Sequence, residues 1–162
     1  EMSQLAAQRA AASVLFFCCS DHRLARSQDV AIYEQVIDSL AARHGYVEPG
    51  EQVEFDPIKI PGPQITIAEG PDHQVKSVID WSQLLVSIHG NELFIVAVHV
   101  GIGDESGCGA EGENHKNREL MIEHARTTIT RLQDVFPNCV FEIMMIGVQD
   151  GRTKWAERVA PA

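Results

Sequence analysis

Val14-Leu15-Phe16-Phe17-Cys18-Cys19-Ser20-Asp21-His22-Arg23 passes within ten residues from an unbroken apolar run to a charged cluster. An apolar run with no polar alternation is the pattern of a strand buried on both faces. The polar residues from Ser20 onward mark its carboxyl end. Two further six-residue apolar runs, 93–98 and 143–148, repeat the pattern. Amphipathic stretches lie between them. Ser27 is placed to cap a helix reaching about Arg43, with Val30, Tyr33, Val36, Ile37 and Leu40 on one stripe and Gly45 to stop it. Gly70-Pro71-Asp72 opens a second helix, striped by Val75, Val78, Ile79, Leu84, Leu85 and Ile88 and ended by Gly90-Asn91. A third carries Leu120, Met121, Ala125, Ile129 and Leu132 ahead of Pro137.

Weaker signals fill the remainder. Residues 53–60 read as a strand interrupted by Pro57, 65–68 as a short β piece, and 100–114 as loop. Asp150-Gly151 reads as a hairpin turn before a terminal piece around Trp155. Strands alternating with amphipathic helices require crossover connections, so the expected fold is α/β with a mainly parallel central sheet flanked by helices. Ligands in such sheets bind beyond the carboxyl ends of the strands. Two segments project from that edge: 19–23 after the first strand, and 99–108 after the run at 93–98.

Composition narrows the classes. A chain of 162 residues without repeats or linkers reads as one domain, 1–162. With 13 basic and 23 acidic side chains the formal charge is −10, which argues against nucleic acid or anionic membrane as a partner. The longest apolar runs are six residues, far short of the ~20 a membrane span needs. The opening Glu1-Met2 has the look of a trimmed or tagged start, and the apolar part of 6–19 is short for a secretory signal. Four cysteines are too few for a disulfide scaffold, so the expectation is a cytoplasmic protein with reduced thiols.

Three possible soft ligands fall at the ligand-binding edge: Cys19, His99 and Cys108. Two thiolates and an imidazole suit Zn²⁺ and leave a fourth tetrahedral position for water or a carboxylate. Their spacing is that of a site assembled from distant strand ends rather than of a zinc finger. Cys18, on the opposite strand face, reads as core, and Cys139 as a space filler before the last strand. His44, His73, His89 and His124 read as surface or helix-packing residues. His22, His115, Asp104 and Glu105 read by default as solvated loop residues; the alternatives are a proton relay for the histidines and a metal contact for an acid. A cysteine-phosphatase loop, Cys-x5-Arg, is excluded, since four residues separate Cys18 from Arg23 and six separate Cys19 from Arg26.

Cys19-Ser20-Asp21-His22-Arg23 resembles the Cys-x-Asp-Ser-Arg motif of the β-class carbonic anhydrases, and His99 with Cys108-Gly109-Ala110 resembles that family's His-x-x-Cys-Gly. The resemblance spans most of the chain, and the length matches small members. It implies a zinc ion on Cys19, His99 and Cys108, and reversible hydration of carbon dioxide to bicarbonate by a zinc-bound hydroxide. It implies catalytic roles for Asp21, which accepts a hydrogen bond from the hydroxide or closes onto the metal, and for Arg23, which holds Asp21. Phe55, Val98 and Ile102 would supply part of an apolar slot for the gas, and a homodimer or larger homo-oligomer is implied as well. Departures are specific. Eight residues, 100–107, separate His99 from Cys108 where the family has two; His22 replaces Ser; Lys59-Ile60 stands for Arg-Asn; Ala10 stands where some members carry Gln. The rival readings are a hydrolase of carbon disulfide or carbonyl sulfide on the same scaffold, and a non-catalytic zinc-binding homologue.

Overall fold

Burial follows the apolar runs. In the structure, a computed structural model that describes residues 13–162, strand β1 (Val14–Cys19) is buried at all six positions. Ala10 and the rest of 1–12 lie outside the described residues. β1 pairs in parallel with β2 (Phe55–Ile60) on one side and β3 (Leu93–Gly101) on the other. β3 pairs in parallel with β4 (Val140–Gln149), and β5 (Arg152–Val159) closes the sheet antiparallel to β4. The order is β2-β1-β3-β4-β5, with helices α1 (Ser27–Arg43), α2 (Pro63–Glu69), α3 (Asp72–His89) and α4 (Arg118–Val135) in the connections. This is the expected α/β fold with a mostly parallel central sheet flanked by helices.

Right-handed crossovers put α1 on one face of the sheet and α3 and α4 on the other. Aromatic contacts agree. Phe16 stacks on Tyr33 of α1 at 5.6 Å, while its neighbour Phe17 meets Phe94, which packs on Phe136 and Phe141. Asn117 caps α4, its side chain accepting from Leu120 N at 3.1 Å.

Several local expectations are corrected. Residues 65–68 are helical, within α2. The β-branched Ile65, Thr66 and Ile67 gave them a strand's composition, but Pro63 at the first helical turn and the Thr66 Oγ1 bond to the Pro61 carbonyl (2.7 Å) set the chain turning. β3 continues to Gly101, beyond its apolar run, so His99 lies inside the strand rather than after it. Residues 109–114, expected as loop, form 3₁₀ turns. β2 begins at Phe55, and Pro57 is tolerated because β2 is an edge strand. The expected α3 stripe divides: Val75 and Val78 are buried, whereas Leu84 and Ile88 are exposed along with Trp81. The terminal piece is β5, entered through a two-residue turn with Asp150 and Gly151 at φ 54° and 69°. Among the described residues no helix is long and apolar enough to cross a membrane.

Candidate metal centre

Topology opens a crevice at one point of the sheet. β1 leads to β2 on one side and β3 leads to β4 on the other, so the strand order reverses between β1 and β3. Such switch points are where open α/β sheets bind ligands. The pairing shows the gap directly. β1 and β3 part after Phe17–Val96, whereas β1–β2 pairing continues to Cys19–Ile60 and β3–β4 to Gly101–Val148. Cys19 and His99 therefore stand on two strands that have ceased to hydrogen-bond.

Cys108 joins them from the following loop. One ligand atom each from Cys19, His99 and Cys108 lies within 4.8 Å of the others, and all three residues are buried. Tetrahedral zinc, with Zn–S near ~2.3 Å and Zn–N near ~2.0 Å, needs donor separations of about 3.5–3.8 Å. The group can hold a metal ion with shifts of about an ångström.

The polar accounting points the same way. His99 is 1% exposed, yet among the described residues neither ring nitrogen has a hydrogen-bond partner. Its closest acid is Asp21, with Oδ2 3.9 Å from Nε2, beyond hydrogen-bond range. A buried imidazole with two idle nitrogens is costly, and ligation of one removes much of that cost. Cys19 is drawn toward the thiolate chiefly by a hydrogen bond from Cys108, against burial and aided by His99 and by the Gly62 N–H at 3.4 Å. Cys108 is pushed upward by that same bond and by burial. A soft cation binding here would displace the thiol protons of the pair.

Asp21 and Arg23 form one unit beside this group. Arg23 Nε donates to Asp21 Oδ1 (3.0 Å), Nη2 to Oδ2 (2.7 Å), and the Arg23 backbone N–H to Oδ1 (2.8 Å). Against burial, which would raise it, these bonds hold the Asp21 carboxyl down at about 2. The other edge of the guanidinium grips the insertion. Nη1 donates to Ser106 O (2.6 Å) and Glu105 Oε1 (3.2 Å), and Nη2 to Gly107 O (3.0 Å). All five side-chain N–H groups have acceptors.

That grip explains how eight residues can separate His99 from Cys108 without moving Cys108 away. The loop leaves β3 with Ile102 N bonded to Val148 O (2.9 Å) and doubles back. A Cβ at Gly101 would overlap the Glu105 carbonyl, and one at Gly107 the His115 carbonyl, so glycine is required at both ends. Glu105 also accepts from Asp150 N and, at 3.3 Å, Gly151 N, tying the loop to the β4–β5 turn.

The remaining candidates fall out as follows. Glu105 is a strap between Arg23 and the hairpin, and Asp104 is exposed. His22 is exposed, 3.7 Å from Asp21, and His115 bonds the Gly112 carbonyl at 2.8 Å. Phe55 lies at the opposite end of the sheet from Cys19, edge-on to Phe16, and so does not border the centre. Cys18 is core, its thiol pushed up to about 12 mainly by burial. Cys139 is partly buried before β4. His44 bonds Glu142 and His89 bonds Asp56, as packing residues.

Of the two expected roles, surface or helix packing, His124 takes the second. It is buried and bonds both oxygens of the buried Glu111, which in turn accepts from Gln64. Sequence reasoning missed Gln64 and Glu111, and the pairing of His124 with them. The one available signal was a histidine beside Ala125, three residues after Met121, on the helix's apolar side. No family model matches this chain, and no curated protein matches it.

Proposed function

We propose that the chain hydrates carbon dioxide reversibly to bicarbonate and a proton, with a zinc ion held by Cys19, His99 and Cys108. The observation that supports this best is the convergence, at the sheet's switch point, of two buried sulfurs and an imidazole that has no hydrogen-bond partner among the described residues. A zinc ion there supplies Lewis-acid activation of water, lowering its pKa from 15.7 toward about 7 and so making a nucleophile for an electrophilic carbon.

The chain's own residues supply orientation. Asp21 Oδ2, on the His99 side of the carboxylate, accepts a hydrogen bond from the attacking water and aims its lone pair at the carbon. Arg23 keeps that carboxylate ionised and fixes its plane through the two-point contact. Through Ser106 and Gly107 the same guanidinium keeps Cys108 at the centre. Protein–water stoichiometry is simple: water adds to carbon, bicarbonate leaves, and one proton passes to buffer.

The reading includes a homodimer. Trp81, Leu84 and Ile88 are each more than half exposed in one stripe of α3. A cavity of about 380 Å³, lined in part by Ile60, Pro61, Val78 and Trp81, adjoins the stripe at the strand end that pairs with Cys19. A second copy would cover both.

The test is stopped-flow hydration of carbon dioxide by zinc-loaded protein, with metal content measured on the same sample. One zinc per chain and hydration above buffer are expected, both abolished by His99→Ala. Zinc-loaded protein no faster than buffer overturns the proposal. Sulfide release from carbon disulfide or carbonyl sulfide would then identify the alternative hydrolase, and inertness to all three gases a zinc-binding homologue.

A further inference from the structure

The turn that begins at Cys108 is fastened by a buried acid. Glu111 is 3% exposed, and its N–H donates to the Cys108 carbonyl at 3.1 Å, closing the first of the 3₁₀ turns over 109–114. Its carboxylate takes donors from two different helices. Gln64 Nε2 of α2 donates to Oε1 at 3.0 Å, and His124 Nδ1 of α4 meets Oε1 and Oε2 at 3.0 and 2.9 Å. A carboxylate only accepts, so Nδ1 of His124 carries the proton. His124 Nε2 lies 3.3 Å from the exposed Glu69. Burying another carboxylate in a chain of charge −10 is unfavourable unless it is paired and bonded, and this one is both.

The partner on α2 is fixed in turn to the other sulfur. Two residues before Gln64, the Gly62 N–H donates to Cys19 Sγ at 3.4 Å. Gly62 also lies against the Cys108 turn: at φ 48° it has no side chain, and a Cβ there would run into Ala110 Cβ and stand 3.2 Å from Cys108 Sγ. Thr128 Oγ1 of α4 donates to Gln64 O at 2.6 Å, so Gln64 and Glu111 are both referenced to the helix that carries His124. Segment 62–64 therefore touches Cys19 at one end and holds the Cys108 turn at the other. Upstream of Cys108, Arg23 binds the carbonyls of Ser106 and Gly107. A ligand held on one flank alone is free to swing about it, and Glu111 supplies the second flank.

We propose that Glu111 is a positioning residue for the metal centre: bonded to Gln64 and His124, it fixes the turn after Cys108 and so sets the distance of that sulfur from Cys19 and His99. This rests on the reading of Cys19, His99 and Cys108 as metal ligands. The action is on one ligand of three. Cys19 and His99 stand on β1 and β3 and keep their places when Glu111 is changed, whereas Cys108 comes from the loop and depends on its two clamps. Outer partners of this kind hold metal ligands in the orientation the ion requires.

Cobalt(II) substitution reads this without any turnover assay, because thiolate-to-cobalt charge-transfer absorption grows with the number of sulfurs bound. Glu111→Ala is expected to lose about half of that absorption, one thiolate of two, and to weaken cobalt binding about 10–100-fold. Glu111→Gln keeps the length and the hydrogen bonds to Gln64 and His124, and is expected to restore the absorption. His124→Leu removes one of the two anchors and is expected to weaken cobalt binding by less; it serves as the probe should Glu111→Ala fail to fold. Leu132→Ala, a core change elsewhere on α4, is expected to lower the melting temperature and leave the absorption in place. If Glu111→Ala or His124→Leu binds cobalt with wild-type affinity and full absorption, the proposal is overturned while the metal site stands. Absence of rescue by glutamine, or an equal loss in Leu132→Ala, would reduce the role to general stability and overturn it as well. If the unmodified chain takes up no cobalt, the metal reading itself fails and the proposal with it.

Discussion

Replacing Arg23 by lysine keeps the charge and removes the planar fork. The guanidinium now makes five side-chain hydrogen bonds: two to Asp21, one to Glu105, and one each to the carbonyls of Ser106 and Gly107. An ammonium has three N–H groups on one nitrogen and cannot span acceptors on opposite edges. At least two bonds go unmade, and Gly107 O is among buried groups left without a donor. With charged-group bonds near 1.5–3 kcal/mol and neutral ones near 1, the loss comes to about 2–4 kcal/mol. For a chain of 162 residues that lowers the melting temperature by about 5–15 °C. Because the bonds to 105–107 hold the segment ending at Cys108, zinc affinity should also fall, by about 10–100-fold. Thermal unfolding of metal-free protein and a chelator competition on zinc-loaded protein measure the two effects separately. Arg23→Lys protein that melts within 2 °C of wild type and keeps its zinc affinity would refute the account of the loop.

Thiol chemistry should separate the four cysteines. In metal-free protein near neutral pH, iodoacetamide should label Cys19 ahead of Cys18, whose thiol burial pushes up to about 12, and zinc should protect Cys19 and Cys108 alone; mass spectrometry of the labelled peptides checks it, and Cys18 reacting first would contradict the pairing of the sulfurs. Asp29, bonded by Arg152 at 2.7 and 3.2 Å, has its pKa lowered chiefly by that contact. A depressed carboxyl stabilises the fold fully above its unfolded value, near 3.9, and loses that contribution as pH falls through its folded value. Asp29→Asn should therefore flatten the decline of urea midpoints between about pH 5 and pH 2, and parallel curves for the two proteins would dispose of the idea. Trp81→Glu with Leu84→Glu should shift the oligomer to monomer in sedimentation velocity; an unchanged sedimentation coefficient would move the interface off α3.

Fold class was readable because the parallel strands are buried on both faces and advertise themselves as unbroken apolar runs, with β1 as the clearest case. Boundaries were less readable where packing overrode composition. β3 outlasts its apolar run because β4 continues beside it to Gly101–Val148, a partner invisible in the segment's own residues. α2 carries β-branched residues yet is helical, since Thr128 and Arg131 of α4 hold the carbonyls of Gln64 and Ile67. The α3 stripe is wider than the sheet can cover, and periodicity alone does not say which part of an apolar face the core takes.

The candidate site was legible in its ligands and opaque in its insertion. Spacing could not say whether Cys108 returns to Cys19 and His99, because return depends on what the loop's interior binds. Lengthening a connection from two to eight residues costs only about 1 kcal/mol in closure entropy, since the cost grows with the logarithm of length. Against that stand three bonds from Arg23 to residues 105–107, worth about 4.5 kcal/mol together even at the lower end for a charged donor. In sequence, Arg23 is legible only as the partner of Asp21, two residues away. The guanidinium has two edges, however, and its second edge is what makes the insertion affordable. A loop of this kind is therefore limited less by its length than by whether its last residues present carbonyls to that edge; moving those carbonyls by one position should release Cys108, whereas adding residues near Gly103, where the loop is exposed, should not.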